Sequence, residues 1–563
     1  MVCALCAVFE QKYRVTDSKV SGDPGAISAA VAVALAVLAA ASVFALWCKC
    51  RNKGLDKNKC LLVSAGIAAA WAVAFVFYLT ATEHEKALVI LVLIAAAVSA
   101  AFFHYKGSLS VPKAVLIIGL IGFAVRLGYV LYTDVAQRQH DVHSFLTATN
   151  GHSAYIRHIY ENWSLPQGDP RDTFQFYHPP LHHFICAVWL KVQEVLGIGF
   201  DQAKENLQLL TLFYSSACMP LAYSILKEFG LKKAGLTIGF AIVALHPTFF
   251  YLSGSINNDI LSILLIFVAI LFTVRWYKNP TYKNIIGIAL GIGFSMMTKL
   301  SGAIIAIPVA VVFLVKLCDK NYGLKKLFWQ FAVFGLICIP LGMWWSLRCA
   351  TLYGMPLSYV PLLSENNRLY VGNYSVAERL FSFKGFDFTN TYPARGDYGF
   401  KAGFYDYNIA IGLTKTAIFG EYFLGMGSAL LEFFANVMYY ASLGLIALSL
   451  FGMGKTVFVL CGKKHGFEKP VLDEKRVLYG FMLLYWAVLF AMYVMFCFQY
   501  PHNCTMDFRY LTPTLLIGGL FLGTLAERTE EGESSAKGWV YYLVIGLTAV
   551  FCAVSVLFFT FVG

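Results

Sequence analysis

Apolar runs of about 20 residues recur along the whole chain, and as helices each would cross the roughly 30 Å hydrocarbon layer of a bilayer. Read by length and by the polar breaks between them, they predict about 14 membrane-spanning helices. Four come first, at 27–48, 61–81, 87–104 and 113–132, followed by a long polar and aromatic segment, 133–205. Six more lie at 206–226, 234–253, 258–275, 284–298, 302–316 and 328–347. After a second long segment, 348–429, come the last four, at 430–453, 477–498, 510–526 and 538–561. The first run, Ala26 to Trp47, exceeds a cleavable signal and is expected to stay in the membrane. The pattern divides the chain into additional N-terminal helices (1–111), a core with the loop 133–205 (112–347), an aromatic-rich segment (348–429) and C-terminal helices (430–563). An all-α polytopic membrane protein is expected, because a helix is the one open element that satisfies its own backbone in lipid.

Composition agrees. Of 563 residues, 58% are hydrophobic and 13% charged, and mean hydropathy is +0.64. Soluble domains carry roughly 25% charged residues, so too few charges are present to cover a water-facing surface. The net charge of +12 would suit a nucleic-acid binder, but the placement of the cations excludes that reading. They cluster in alternate short loops: Lys49 to Lys59, Lys227 to Lys233, Arg275 to Lys283, Lys316 to Lys326 and Lys455 to Arg476. All fall on one side if the span count holds, and that side is expected to be cytoplasmic, facing anionic lipid. The two long segments then share the outer side. Most of the 14 cysteines lie in or beside apolar runs and read as small buried hydrophobes. Cys349 and Cys504 fall on the outer side, where a disulfide between them is one arrangement to test.

Polar chemistry gathers on that outer side. Seven of the 12 histidines lie within 133–205: His140, His143, His152, His158, His178, His182 and His183. Apolar positions at Phe145, Ala148, Tyr155, Ile156 and Ile159 predict a helix after Asp141 lying in the membrane interface. Trp163 to Pro170 would break it, and Tyr177-His178-Pro179-Pro180 would open a second helix to about Leu196, with Phe184, Val188 and Leu190 facing the membrane. Asp141 is either a helix-start carboxylate or a general base near the headgroups. His140 and His143, or His178 and His182 one turn apart, are candidate ligands of a divalent metal. Asp259, after Asn257-Asn258, either caps the next helix or adds a carboxylate to the same outer cleft. Lys299, Arg348 and Arg509 stand at outer span ends, Arg509 beside Tyr510, where they either snorkel to headgroups or hold an anionic lipid head. Arg126 lies inside an apolar run and needs a buried partner. The aromatics of 348–429 anchor at the interface or cover the cleft.

This arrangement resembles the GT-C glycosyltransferases, which include protein O-mannosyltransferases and the bacterial aminoarabinose transferases of lipid A. The residues that carry the resemblance are Asp141, Tyr177-His178-Pro179-Pro180-Leu181, Asn258-Asp259, Thr298-Lys299-Leu300-Ser301-Gly302, and Arg348 to Pro356 with its Tyr353-Gly354-Met355-Pro356. It covers about 112–526 and leaves the first three spans unassigned. The family often has Asp-Glu at the first acid or a lysine before Pro-Pro; here His140 and Val142 flank Asp141, and His178 precedes Pro179. The resemblance implies a GT-C fold with interfacial helices in the first outer loop. It also implies a cell-membrane enzyme working on the extracytoplasmic side.

By the same resemblance, a sugar would pass from a polyprenyl-phosphate donor to a hydroxyl on a glycan, lipid or protein acceptor, with inversion. Asp141 is the implied base, Asp259 a second catalytic acid, and His178, Lys299, Arg348, Arg509 and Tyr510 substrate-binding residues. The rival reading is a multi-span transporter or lipid flippase, which His246-Pro247 and Arg126 favour because they put polar groups and a break inside spans. A non-enzymatic scaffold would explain neither the histidine-rich loop nor the aromatic segment.

Overall fold

The computed structural model describes residues 84–133, 135, 149–195, 197–319, 322–367, 369–382, 407–420, 429–461, 474–530 and 538–562. The expected spans at 27–48 and 61–81, the residues His140, Asp141 and His143, and 383–406 of the aromatic segment lie outside them. First come α1 (His84–Tyr105), whose apolar part Val89–Tyr105 is shorter than a span, and the long apolar helix α2 (Val111–Tyr132), then two helices of the first long loop, α3 (Gly151–Asn162) and α4 (Leu181–Val195). The bundle continues with α5 (Gln208–Glu228), α6 (Lys233–Leu245), α7 (Pro247–Gly254), α8 (Asp259–Lys278), α9 (Tyr282–Thr298), α10 (Ala306–Leu317) and α11 (Leu324–Tyr353). The second outer segment contributes α12 (Val376–Phe381) and α13 (Ile409–Phe419), and α14 (Ala429–Cys461), α15 (Glu474–Gln499), α16 (Thr514–Glu530) and α17 (Gly538–Phe561) close the chain. Among the described residues nine helices are long and apolar enough to cross a membrane, or ten if the bent pair Asn503–Leu511 and Thr514–Glu527 is one span. The all-helical, many-span reading holds; the count of about 14 is not reached within the described residues.

The centre of the bundle is the pair α6–α7, almost wholly buried. Apolar side chains alone do not drive helices together in lipid, so close backbone approach decides the packing. Gly235 and Gly239 on α6 face Gly523 and Gly519 on α16 in an antiparallel crossing. A Cβ on Gly239 would stand 2.8 Å from the Gly519 carbonyl oxygen, and one on Gly235 would stand 2.6 Å from that of Gly523. Two small-xxx-small stripes, unremarked in the hydropathy, thus lock the last spans onto the middle of the chain.

Pro247 interrupts this central span, with His246 extended between α6 and α7. The break frees carbonyls that no N–H of the same helix reaches. Arg126, fully buried in α2, supplies the donors: Nη1 to the carbonyls of Ala244 at 2.6 Å and Gly122 at 2.8 Å, Nη2 to Val243 at 3.2 Å, and Nε to Ser215 Oγ at 3.0 Å. His246 Nδ1 accepts the N–H of Thr248 at 3.2 Å. The two features that favoured a transporter complete each other, and every guanidinium nitrogen is spent on structure.

The outer loop builds its own small core from Tyr155, Ile156, Ile159, Cys186, Leu190, Leu207 and Ile256. The apolar face of α3 turns into this core rather than toward lipid. Phe184 and Val188 on α4 are exposed as expected, but Leu190 is fully buried, because α4 leaves one side open and packs the other against α3. The helix expected directly after Asp141 is described from Gly151 onward. The second outer segment, expected to serve as anchor or cover, also contains α13, a buried apolar helix whose Ala417 carbonyl accepts from Thr248 Oγ1 at 2.8 Å. No disulfide joins Cys349 and Cys504.

Candidate functional site

Asp259 opens α8 at the end of a span. The side chain of Asn257 accepts the Asp259 N–H at 3.1 Å, and Asn258 Nδ2 donates to the carbonyl of Thr298 at 2.9 Å. The second bond ties the first turn of α8 to the last turn of α9. One turn deeper, Ser262 and Ser295 join the same helices through their hydroxyls at 2.9 Å. Lys299 leaves α9 in an extended conformation, and the chain folds straight back into the turn Leu300–Ile305. Only glycine fits at 302, where a Cβ would meet the Ser295 carbonyl carbon at 2.7 Å. The Thr-Lys-Leu-Ser-Gly stretch is therefore a tight reversal that points one lysine at Asp259.

The Lys299 ammonium forms an ion pair with Asp259. Arg509 comes from the short helix Phe508–Leu511, whose start is set by the Asp507 carboxylate accepting the Arg509 N–H at 2.8 Å. Its Nη1 stands 3.5 Å from the other Asp259 oxygen, and its Nη2 lies 3.1 Å from Tyr510 Oη. Lys299 Nζ sits 4.7 Å over the Tyr510 ring. A small pocket opens here, with Asp259, Lys299, Arg509 and Tyr510 in its polar wall and Ile263, Ile266 and Leu489 continuing it as an apolar one. Asp259 is 4% exposed, so its carboxylate is held by its two cations rather than by water. Two cations face the Asp259 carboxylate, and the buried Asp507 carboxylate stands at the start of the Arg509 turn, so these four charges sum to zero. Their N–H donors on the pocket wall suit an anionic guest.

Arg348 and His178 are placed at a neighbouring cluster. The Arg348 guanidinium packs 5.3 Å from the Trp345 ring and 5.6 Å from that of Tyr353. His178 lies between the rings of Tyr177 and His152, at 4.5 and 5.7 Å. His152 Nδ1 and His183 Nε2 share a hydrogen bond at 2.9 Å, and Tyr155 stacks on His183 at 4.2 Å. The sequence placed Tyr155 on the apolar face of α3 and singled out the histidines, but not the ring column they form together. Among the described residues no three or more His, Cys, Asp or Glu side chains are grouped to hold a metal. His178 and His182, proposed as a ligand pair, therefore gain no third ligand there, while His140 and His143 fall outside the description.

Burial pushes His182 down to about 3, helped by His152 and partly opposed by the Asp259 carboxylate, and His183 also lies well below the usual range. Both are therefore neutral in the folded protein. An unfolded chain takes up these protons near pH 6.5, so stability present in full above that pH is lost as pH falls toward about 3. Thermal unfolding of the wild type and His182→Gln between about pH 7 and pH 4 checks this. The variant should fall less steeply; equal slopes would remove His182 as a contributor.

Several comparisons bear on this geometry. Residues 177–344 match the family model described as dolichyl-phosphate-mannose-protein mannosyltransferase. No curated protein sequence matches the chain. Among solved structures, the oligosaccharyltransferase AglB from Archaeoglobus fulgidus, in complex with an inhibitory peptide and a dolichol-phosphate, is 12% identical with a TM-score of 0.45. That alignment covers 79% of this chain and 55% of the archaeal one, so the chain spans little more than half its length. ArnT from Cupriavidus metallidurans, bound to undecaprenyl phosphate, is 13% identical with a TM-score of 0.32, covering 74% of this chain and 79% of that one. The matched stretch 177–344 holds His178, Asp259 and Lys299, and over it the chain bears out the resemblance to the GT-C glycosyltransferases that its motifs carry.

Proposed function

We propose that this protein is a membrane glycosyltransferase that moves a sugar from a polyprenyl-phosphate donor to an acceptor hydroxyl on the extracytoplasmic side, with inversion at the sugar carbon. The observation that carries the reading is the buried Asp259–Lys299–Arg509 trio beside an apolar-walled pocket, within a chain similar to mannosyltransferases over 177–344. A prenyl tail keeps its phosphate at the membrane surface, so the groups that receive it belong at span ends.

The leaving group is a phosphate, stable as an anion, and needs little help from a general acid. It does need fixed positive charge where negative charge grows as the sugar–oxygen bond breaks. Lys299 and Arg509 fill that role, with the Tyr510 hydroxyl holding the arginine fork. Asp259, engaged by both cations, is a positioning residue that sets their spacing rather than a base. The base is assigned to Asp141, from its place in the first outer loop. It would take the proton of the acceptor hydroxyl as that oxygen attacks the sugar carbon. His178 and Arg348 line the neighbouring part of the substrate site.

The test uses the full chain in lipid nanodiscs with labelled polyprenyl-phosphate sugar and an envelope extract. Label should move to the extract, and Asp141→Asn should insert normally and lose transfer. Retained turnover in that variant removes Asp141 from its role. Lipid moving between leaflets without transfer would replace the enzyme reading by the transporter one.

A further inference from the structure

Arg509 reaches Asp259 from the short helix Phe508–Leu511, and a turn that brief is placed by whatever holds its first N–H groups. The N–H of Arg509 goes to the Asp507 carboxylate, within the same stretch of chain. The N–H of Phe508 donates at 2.9 Å to Thr416 Oγ1, on α13 of the second outer segment. The buried Thr416 hydroxyl donates in turn to the Gly412 carbonyl at 2.8 Å, so its proton and a lone pair are both in use. At Gly412 the two stretches pack closely: a Cβ there would stand 3.0 Å from that of Met506. The Tyr493 hydroxyl holds the chain earlier, by donating to the Met506 carbonyl at 2.8 Å. Thr416 therefore supplies the tie from another helix nearest to Arg509 along the backbone.

The helix that carries Thr416 is itself held by α7. Tyr251 Oη donates to the Thr416 carbonyl at 2.9 Å, next to the bond from Thr248 to Ala417. The Phe508 ring stacks at 6.0 Å on His246, the residue before α7. At its other end α7 runs through Ser255 to Asn258 directly into Asp259. Asp259 and Arg509 are thus placed from one short helix, the first through the chain and the second through Thr416. The break at Pro247, which makes α7 a separate piece, gives both charges a common base.

We infer that Thr416 is a positioning residue for the reaction: through the Phe508 N–H it sets the Arg509 guanidinium against Asp259, and α13 is part of the reactive site rather than a cover over it. The inference rests on the role given to Arg509 above and extends it to the second outer segment.

Thr416→Val keeps the shape and removes the hydroxyl, and Thr416→Ser restores the hydroxyl. Both are compared with the wild type on the full chain in nanodiscs, by two measurements. The first needs no turnover: phenylglyoxal modification of Arg509, followed by peptide mass spectrometry. The Arg509 side chain is 9% exposed and should react slowly in the wild type. Thr416→Val should speed its modification about fivefold or more, and Thr416→Ser should stay within about twofold. Should Thr416→Val fail to fold, Tyr251→Phe frees the Thr416 carbonyl instead and should speed the modification about twofold or more. The second measurement is single-turnover transfer. Thr416→Val should slow it about tenfold or more, yet cost less than about twofold in an Arg509→Met background, where nothing is left to place. A threonine that served stability alone would slow both backgrounds alike. The inference is overturned by Arg509 reactivity that ignores Thr416 and Tyr251, or by slowing that persists undiminished without Arg509. Failure of the donor reading looks different: Arg509 reactivity follows Thr416, while the wild type transfers no sugar or transfers it equally well with Arg509→Met. That result upholds the placement and removes the role in the reaction.

Discussion

Replacing Lys299 by methionine is expected to slow sugar transfer about 10²–10³-fold, the usual cost of removing one preorganised donor from a developing oxyanion. The ammonium touches Asp259 and lies over the Tyr510 ring, so the substitution removes a charge without opening a large void. Asp259 would then face Arg509 alone, and a phosphate would meet one fixed cation fewer at the moment its charge grows. The loss should appear in kcat as well as in donor affinity, because the charge matters most in the transition state. Lys299→Arg keeps the charge but brings a longer, planar group into a tight reversal, so partial activity is expected from it. Single-turnover rates with labelled donor measure both. A rate for Lys299→Met within about threefold of wild type would remove the trio from the chemistry.

Arg126→Met should give the second large effect, on folding. The carbonyls of Val243 and Ala244, freed by the break at Pro247, accept only from this guanidinium among the hydrogen bonds described at them. Without it they remain unsatisfied in the middle of an apolar bundle, each at about 1–3 kcal/mol. A loss of several kcal/mol is a large part of the stability of any domain. Thermal unfolding and protease resistance in detergent should both drop sharply. Turnover per folded molecule should stay near wild type, because no Arg126 nitrogen points to the pocket. Normal stability with altered transfer would reverse that assignment and reopen Arg126 as a functional charge.

Arg126 also marks where inference from the chain alone stops. An arginine in an apolar run signals a buried partner, but not which one. Its acceptors lie about 120 residues away and exist only because a proline breaks another span. The glycine stripes of α6 and α16 are similar. Each reads as ordinary membrane-helix composition until the crossing brings Gly239 against Gly519, nearly 300 positions later.

The spans themselves needed no packing to be read. A run of apolar residues crosses lipid whatever its neighbours do, and cations in short loops choose a side on their own. Those two local effects were enough to predict that Asp259, Lys299, Arg348 and Arg509 share one face. Which of them touch is a different matter. Asp259 and Lys299 are 40 residues apart, and Arg509 is 250 from Asp259. Only the joining of α8 to α9 by Asn258 and Ser262, and the docking of the Phe508–Leu511 turn beside them, makes them a trio while Arg348 packs against Trp345 and Tyr353. The exposed and buried sides of α4 were settled in the same way, by α3 covering Leu190. Sidedness follows from transfer free energies that add residue by residue; contact follows from the packing of helices distant in sequence, which no local sum contains.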